Sequence, residues 1–332
     1  MPPLPQTVEA ITIPHTGGIE VIQKTTRPFP QQKADEFLIK VEYGGVNFID
    51  TYFRGGLYPL KEFPAGIGKE TAGTVVALPT DEAVLNHPVF QKQGFKVGGK
   101  VAADFNGSHA TYISVSWKHV FVVPEGVSTR VAAAALLQGL TVATFTEEAY
   151  KVKKGDIILV HTVAGGLATV IGTTSTPEKA ELAKAHGADY VILYKSEDTV
   201  KRVLEITNGQ GVDAIFDGVG KDTFDADFEM IKRKGTIVAV GNASGAIPPF
   251  SIFKLVPKNV RLLRPTLYGY IAEPEEADYY GNKLFKLVES GELKVNIFKE
   301  YPFSAEGVQD AQRDLTTGKT TGKVIIAIDP PK

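Results

Sequence analysis

The sequence contains no cysteine, which excludes disulfide bonds, thiol nucleophiles and thiolate metal ligands together. It also lacks an excess of charge of one sign, because 36 lysine and arginine residues are balanced by 38 aspartate and glutamate residues. No block of basic residues marks a nucleic-acid or membrane surface. These absences favour a protein that works on small molecules.

Long apolar runs are missing as well, and no stretch approaches the roughly 18 residues that a transmembrane helix needs. The proline-rich start, residues 1–5, has no apolar core of the kind found in signal peptides. We therefore expect a cytoplasmic protein with no membrane partner.

The chain is long enough for two domains, since 332 residues with 43% hydrophobic content can bury two ordinary cores. Residues 6–125 form a pattern of short strands separated by glycine and proline, which is typical of β-rich structure. From Asp156 onward, apolar strands alternate with capped helices, and this predicts a doubly wound parallel sheet. The predicted fold class is α/β, with a β-rich domain beside a doubly wound one.

Two helices of the doubly wound region have recognisable capping residues. One is predicted from about Pro177 to His186, with Thr176 as N-cap and Gly187 beyond its end. The other is predicted over roughly residues 197–207, with Ser196 as N-cap.

Glycines follow several strands of this region. Gly165 and Gly166 come after its first strand, where a strand-to-helix turn would bring backbone N–H groups to the pyrophosphate of a dinucleotide. Gly218 and Gly220 follow a later strand, and Gly241 follows the next. Each motif alone is equally an ordinary turn, but several at one sheet edge favour a ligand site.

The strand end 170–176 lies where a dinucleotide-binding fold holds the adenosine ribose. An acidic residue there would bind the 2′-hydroxyl of NAD and repel the 2′-phosphate of NADP, and none is present. Ser175 offers a hydroxyl and Lys179 a cation, which together suit a phosphate, so NADPH is favoured over NADH. In the alternative, Ser175 caps a helix and Lys179 is an ordinary solvated lysine.

In the first domain, residues 45–54 bring polar and aromatic side chains into a short segment. Asn47 and Tyr52 could donate hydrogen bonds to a carbonyl oxygen on which negative charge develops. In the alternative, Asp50 and Arg54 pair on a helical turn and the aromatic rings belong to the core.

Taken together, these motifs resemble those of zeta-crystallin-type NADPH:quinone oxidoreductases, the zinc-free branch of the medium-chain dehydrogenase/reductase superfamily. The resemblance covers nearly the whole chain, with matching stretches at residues 45–54, 66–73, 137–143, 170–179, 217–220, 241–242, 264–269 and 318–323. Zinc alcohol dehydrogenases carry a ligating histidine where this chain has Lys69, and the partner cysteines are absent. No metal site is therefore expected.

The resemblance implies a GroES-like catalytic domain formed by residues 1–128 and 268–332, and a Rossmann-type domain formed by residues 129–267. It implies a homodimer joined through the Rossmann sheets. It also implies that Asn47, Tyr52 and Thr141 surround the nicotinamide and the substrate. The remaining cofactor contacts that it implies are Ser175, Lys179, Tyr194, Asn242, Arg264 and Lys319.

The implied reaction is hydride transfer from C4 of the nicotinamide of NADPH to a quinone. Asn47 and Tyr52 would polarise the quinone oxygen, and solvent would supply the proton. Reduction of an enone or alkenal is the alternative within the same superfamily. A non-catalytic role, such as the weak RNA binding that zeta-crystallin relatives suggest, is the alternative of a different class.

The chain departs from the resemblance after Gly166, where about a dozen residues that would form the first crossover helix are missing. Parallel neighbouring strands usually need a connection of a dozen or more residues, whereas only Val163–Ala168 lie between the two strands predicted here. We expect that both strands cannot keep their usual places by this route. We also expect weaker pyrophosphate binding and an exposed apolar sheet surface.

Overall fold

The computed structural model describes residues 3–161 and 168–331. The chain forms two compact units. The first consists of Met1–Ala143 and Ile271–Lys332, and the second of Thr144–Tyr270. The first unit therefore extends beyond the boundary predicted at residues 128 and 129. The reason is a helix that begins at Thr129 and packs on the first unit, where the backbone N–H of Leu137 donates to Glu70.

Strands make up most of both units. In chain order, the described residues form sixteen of them: β1 Thr7–Ile13, β2 Gln23–Pro28, β3 Glu36–Val46, β4 Ala65–Gly66, β5 Glu70–Ala77, β6 Lys100–Asp104, β7 Tyr112–Ser116, β8 Val120–Val122, β9 Ile157–His161, β10 Thr169–Thr174, β11 Tyr190–Leu193, β12 Val212–Asp217, β13 Ile231–Ala239, β14 Arg261–Leu263, β15 Ile297–Pro302 and β16 Lys323–Ala327.

The same residues form ten α-helices: α1 Phe48–Arg54, α2 Glu82–Leu85, α3 Pro88–Gln93, α4 Thr129–Thr144, α5 Pro177–Ala185, α6 Thr199–Ile206, α7 Phe224–Met230, α8 Leu267–Tyr270, α9 Pro274–Glu289 and α10 Ala305–Thr316. A π-helical turn, Phe145–Ala149, follows α4, and 3-10 turns lie at Ile19–Val21, Trp117–His119 and Ile252–Leu255. None of the described helices is long and apolar enough to cross a membrane.

The first unit contains two sheets. The larger has seven strands in the order β15-β16-β3-β5-β6-β8, with β7 paired to β3, and the smaller has the order β2-β1-β4. Antiparallel pairing of β3 with β5 and β16 places strands from both ends of the chain side by side. Their apolar side chains, including Phe37, Ile39 and Ile326, form one buried core.

The second unit is a six-stranded parallel sheet in the order β11-β10-β9-β12-β13-β14. Strands β10 and β11 lie on one side of β9, and β12, β13 and β14 lie on the other. The strand order therefore reverses between β9 and β12, which is the kind of switch point where doubly wound sheets bind ligands. Helices α6 and α7 pack on one face through Val203 and Met230, which join the core formed by Leu159, Ile171 and Ile215. The predicted doubly wound architecture is confirmed.

The capping prediction was right for one helix and wrong for the other. Helix α5 begins at Pro177, and the Thr176 side chain accepts from the backbone N–H of Lys179 at 3.3 Å. Helix α6 begins at Thr199, and its N-cap is Asp198 rather than Ser196. Both residue types cap helices, but only the Asp198 carboxylate lies within reach of a first-turn amide, that of Lys201 at 3.0 Å.

The two strands around the shortened connection do keep their places, contrary to the expectation from sequence. Strand β9 pairs in parallel with β10, with Thr169 opposite Ile157 and Gly172 opposite Val160. Returning along four residues of strand requires about 13 Å, while residues 162–168 can span about 25 Å when extended. The connection is therefore long enough for a direct return, although it is too short to contain a crossover helix.

The expected exposure of apolar sheet surface is also wrong for the described residues. Ile158 and Val170, on the face opposite α6 and α7, are only 5% and 1% exposed. They join a buried cluster to which the π-helical turn contributes Phe145 and Ala149, and Tyr270 packs against it. Residues that precede β9 and follow β14 in the sequence thus cover the face of the sheet opposite α6 and α7.

Candidate functional site

Asn47 and Tyr52 lie on one short turn of the first unit. Strand β3 ends at Val46, and the chain then turns into α1, where the backbone N–H of Asn47 donates to Oδ2 of Asp50 at 2.7 Å. Asn47 is 4% exposed, whereas Tyr52 is half-buried and packs edge-on against Tyr58, with 5.4 Å between the ring centroids. Tyr52 is thus the more accessible of the two predicted site residues.

Asp50 and Arg54 do not form the ion pair considered for this segment. Arg54 Nε instead donates to Oε1 of Gln312 at 2.7 Å, and the Asp50 carboxylate accepts from Asn47. Burial raises the pKa of Asp50 to about 7, although the Asn47 N–H opposes that rise. The segment carries a buried carboxyl group that titrates near neutral pH.

Thr141 lies on α4, and its hydroxyl donates to the carbonyl oxygen of Leu137 at 2.7 Å. The backbone N–H of Leu137 donates to Oε2 of Glu70 at 2.6 Å, and Nδ2 of Asn47 donates to Oε1 of the same carboxylate at 2.7 Å. Glu70 therefore links the elements that carry Asn47 and Thr141. Lys319, by contrast, follows α10 on the surface, 3.5 Å from Oδ1 of Asp314.

In the second unit, Ser175, Lys179 and Tyr194 gather at the carboxyl ends of β10 and β11. The backbone N–H of Tyr194 donates to the carbonyl oxygen of Thr174 at 3.1 Å, which ties the two strand ends together. Burial lowers the pKa of Lys179, and the nearby ammonium of Lys195 lowers it further. Ser175 precedes the N-cap Thr176, so it does not cap the helix as the alternative required.

Gly218, Gly220, Gly241 and Asn242 lie together where β12 and β13 end. A Cβ atom on Gly241 would lie 2.5 Å from the carbonyl oxygen of Gly218, and one on Gly220 would lie 2.9 Å from that of Gly245. Gly220 also has a φ of +88°, in the left-handed region. Contact between the two loops accounts for glycine at positions 220 and 241.

Arg264 lies next to these loops, and its Nη1 donates to the carbonyl oxygen of Ala239 at the end of β13, at 2.6 Å. The predicted residues of the second unit thus fall into two groups along one edge of the parallel sheet, at β10–β11 and at β12–β13. Gly165 and Gly166 lie outside the described residues.

Family models and known proteins identify this arrangement. Residues 33–125 match the alcohol dehydrogenase GroES-like domain, and residues 155–280 match the zinc-binding dehydrogenase domain. A probable quinone oxidoreductase of Schizosaccharomyces pombe is 35% identical over 95% of this chain and 96% of its own length. The chain belongs to the quinone oxidoreductase family.

Two further relatives of this quinone oxidoreductase family member are informative. The structure of Escherichia coli quinone oxidoreductase complexed with NADPH has a TM-score of 0.88 and 31% identity, covering 96% of this chain and 99% of that one. A 2-haloacrylate reductase of a Burkholderia species is 30% identical over 85% of this chain and 87% of its own length. The predicted GroES-like and Rossmann-type fold is confirmed.

The second unit contains a buried group of three potential metal ligands, His161, Asp217 and Asp227. Each already has hydrogen-bond partners: His161 contacts Thr173 and Asp227, and the Asp217 carboxylate accepts from the N–H groups of its own turn. The group is therefore best described as a polar network beneath the sheet edge.

Sequence reasoning missed three charged residues of the candidate sites. Glu70 and Lys323 are buried charges at the starts of β5 and β16, and such charges in apolar strands are a signal of pairing. Their partnership joins positions 253 residues apart and has no local signature. Lys195 follows β11, and its proximity to Lys179 depends on the pairing of β10 with β11.

Proposed function

We propose that this chain reduces quinones with NADPH and does so without a catalytic metal. The observation that carries the proposal is the position of Lys179 and Lys195 near Ser175: Lys179 lies in the first turn of α5, and the Tyr194 N–H donates to the Thr174 carbonyl oxygen, which joins the strand ends that precede Lys195 and Ser175. A bound dianion would relieve the repulsion between these two like charges, and the strand end 170–176 contains no carboxylate to repel such a ligand. The 2′-phosphate of NADPH has this charge.

Residues of the first unit would act on the substrate. When bound, NADPH supplies a hydride from C4 of its nicotinamide. We assign to Tyr52 and Asn47 the task of donating hydrogen bonds to the quinone oxygen, because both lie on the turn into α1 and Tyr52 is accessible. Thr141 is proposed to contact the nicotinamide side of the site.

Two features support a metal-free reaction. The chain has no cysteine to serve as a zinc ligand. Nζ of Lys69, at the position where zinc alcohol dehydrogenases carry a ligating histidine, lies 2.7 Å from Oδ1 of Asp104, and both side chains are buried. An ammonium group paired in this way has no lone pair to offer a metal ion.

Reduction of an activated alkene is the second candidate function. It is favoured by the similarity to 2-haloacrylate reductase, a relative whose name describes an α,β-unsaturated substrate. Such a reaction would use the same hydride donor, and the same side chains would donate hydrogen bonds to the substrate carbonyl oxygen. RNA binding stays a prediction from the sequence alone.

We also propose that two copies of the chain associate through the second unit. Strand β14 ends the parallel sheet, and the segment before it exposes Ile252, Phe253 and Val256 at 74%, 77% and 61%. An open sheet edge beside exposed apolar side chains is a surface that favours burial against a second copy.

The test compares initial rates with benzoquinone and an enone, each with NADPH and NADH, in the presence of a chelator. We expect the highest kcat/KM with benzoquinone and NADPH, unchanged by the chelator. Faster reduction of the enone would favour the second candidate function. No oxidation of NADPH with either acceptor would refute both.

A further inference from the structure

We propose that the buried ion pair of Glu70 and Lys323 positions the Asn47 carboxamide and the turn of α4 that carries Thr141. Neither Glu70 nor Lys323 is placed in contact with the substrate, so both are positioning residues. The inference rests on the proposed function, because it assigns these residues a task in that reaction.

Strand pairing brings the three side chains together. The strand order β16-β3-β5 places β3 in the middle, with Val324 opposite Val46 and Glu70 opposite Gly45. Lys323 immediately precedes Val324, and Asn47 immediately follows Val46. The three polar side chains therefore meet at one end of three adjacent strands, although they come from distant parts of the chain.

The contacts fix the orientation of the Asn47 amide. Nζ of Lys323 donates to Oδ1 of Asn47 at 2.6 Å, and Nδ2 of Asn47 donates to Oε1 of Glu70 at 2.7 Å. Lys323 also pairs directly with the Glu70 carboxylate. Because an ammonium only donates and a carboxylate only accepts, a flipped amide would face two mismatched partners. The second hydrogen of Nδ2 therefore has a defined direction.

The other oxygen of Glu70 reaches α4. Oε2 accepts from the backbone N–H of Leu137, whose carbonyl oxygen in turn accepts from the Thr141 hydroxyl. Close approach is possible because residue 45 is glycine: a Cβ there would lie 2.4 Å from Oε1 of Glu70 and 2.6 Å from the carbonyl oxygen of Ala133. The Glu70 carboxylate thus fixes the position of α4 relative to the Asn47 side chain.

Stability alone does not explain this arrangement. The side chains of Glu70 and Lys323 are 0% and 4% exposed, and desolvation offsets much of the attraction in a pair buried so deeply. Apolar residues of similar volume would fill the same space. What the charged pair adds is a set of directional contacts to Asn47 and Leu137.

The first test is a double-mutant cycle of Lys323→Met and Asn47→Ala. We expect Lys323→Met to lower kcat for benzoquinone on the order of 10- to 100-fold, with the Kd for NADPH changed by less than about 3-fold. In the Asn47→Ala background, Lys323→Met should lower kcat by less than about 2-fold. Reductions that multiply, or an unchanged kcat in Lys323→Met, would overturn the proposal.

A matched control removes a different ammonium from a buried carboxylate of the same unit. Lys92→Met breaks the contact of Lys92 with Asp278, whose side chain is 6% exposed, and we expect no change in kcat. Glu70→Gln combined with Lys323→Met leaves neither charge unpaired. This variant keeps the test possible if Lys323→Met fails to fold, because it should show the same loss of kcat.

The second test needs no turnover and separates this inference from the proposed function. In a two-dimensional NMR spectrum, the side-chain amide signal of Asn47 is assigned as the one lost in Asn47→Ala. We expect this signal to exchange slowly with solvent, and to shift and exchange faster in the Glu70→Gln, Lys323→Met protein. If that holds while the native protein reduces no quinone, the positioning of Asn47 by Glu70 and Lys323 is supported and the proposed function is refuted. An unaltered signal would refute the positioning of Asn47 by this pair.

Discussion

Nε2 of His161 lies 3.1 Å from Oδ1 of Asp227, and both side chains are buried beneath the carboxyl edge of the parallel sheet. Burial raises the pKa of Asp227 to about 6, although His161 opposes that rise. The neighbouring Asp217 acts in the same direction as burial. Between about pH 4 and pH 6, the folded protein therefore holds a proton on Asp227 that the unfolded chain, with an ordinary pKa of 3.8, has released.

This proton makes stability depend on pH. A carboxyl whose pKa is raised by folding contributes stability that is fully present below about pH 4 and is lost as the pH rises through about 6. We expect Asp227→Asn, which cannot ionise, to gain stability relative to the native protein by about 1.5 kcal/mol between pH 5 and pH 8. Denaturant unfolding of both proteins across this range measures the difference.

The control for this prediction is Asp225→Asn on the same helix, where the carboxylate is 85% exposed. Its stability relative to the native protein should vary little over the same pH range. A difference for Asp227→Asn that stays flat from pH 5 to pH 8 would show that Asp227 is already ionised in the folded protein.

Removing the ammonium groups near Ser175 should change the choice of cofactor. We expect Lys179→Met and Lys195→Met each to raise the Kd for NADPH about 10-fold, with little change for NADH, because each deletes a charged contact to the 2′-phosphate. Fluorescence titration measures both. Lys184→Met on the same helix, which breaks only an exposed contact with Glu181, is the control. Equal losses for NADPH and NADH would contradict the assignment.

Binding of the pyrophosphate should be weak, because the chain between β9 and β10 is too short for a crossover helix whose N-terminus would face it. We expect NADPH to bind less than about 10-fold more tightly than 2′,5′-ADP, which carries the 2′-phosphate but lacks the pyrophosphate bridge. Calorimetric titration measures both ligands. A Kd for NADPH of about 1 µM, with 2′,5′-ADP far weaker, would contradict this expectation.

Disrupting the exposed apolar segment should separate the proposed dimer. Phe253→Asp replaces a phenyl ring that is 77% exposed with a charged carboxylate. Burying this charge in the interface would be costly, so we expect light scattering to give the mass of one chain rather than two. Tyr279→Asp, at a position that is 56% exposed in the first unit, should leave the mass unchanged. A native protein of single-chain mass would refute the dimer.

Local patterns in the sequence predicted much of the second unit. Thr176 followed by Pro177 indicates a helix start, because capping by threonine and the fixed φ of proline are local effects that do not depend on the fold. Strands of a parallel sheet are buried on both faces, so each appears in the sequence as a continuous run of apolar residues. Ser175 and Lys179 were predicted together because they lie one helical turn apart. Their position at the edge of the sheet follows directly from that local structure.

Relationships between distant segments were not predictable in the same way. The Glu70–Lys323 pair depends on the register of three strands, and the burial of Val170 depends on packing by Phe145. The rule that parallel neighbours need a long connection failed at β9 and β10, because it describes helical crossovers rather than the shortest path an extended chain can take.

The most direct test of the proposed function is a single-turnover reaction. The protein is mixed with NADPH, then with excess benzoquinone and a chelator, and the loss of reduced nicotinamide absorbance is followed against a protein-free blank. We expect a first-order loss whose rate saturates with benzoquinone concentration and falls when Tyr52 is replaced by phenylalanine. A rate equal to that of the blank would contradict the assignment of this chain as an NADPH-dependent quinone reductase.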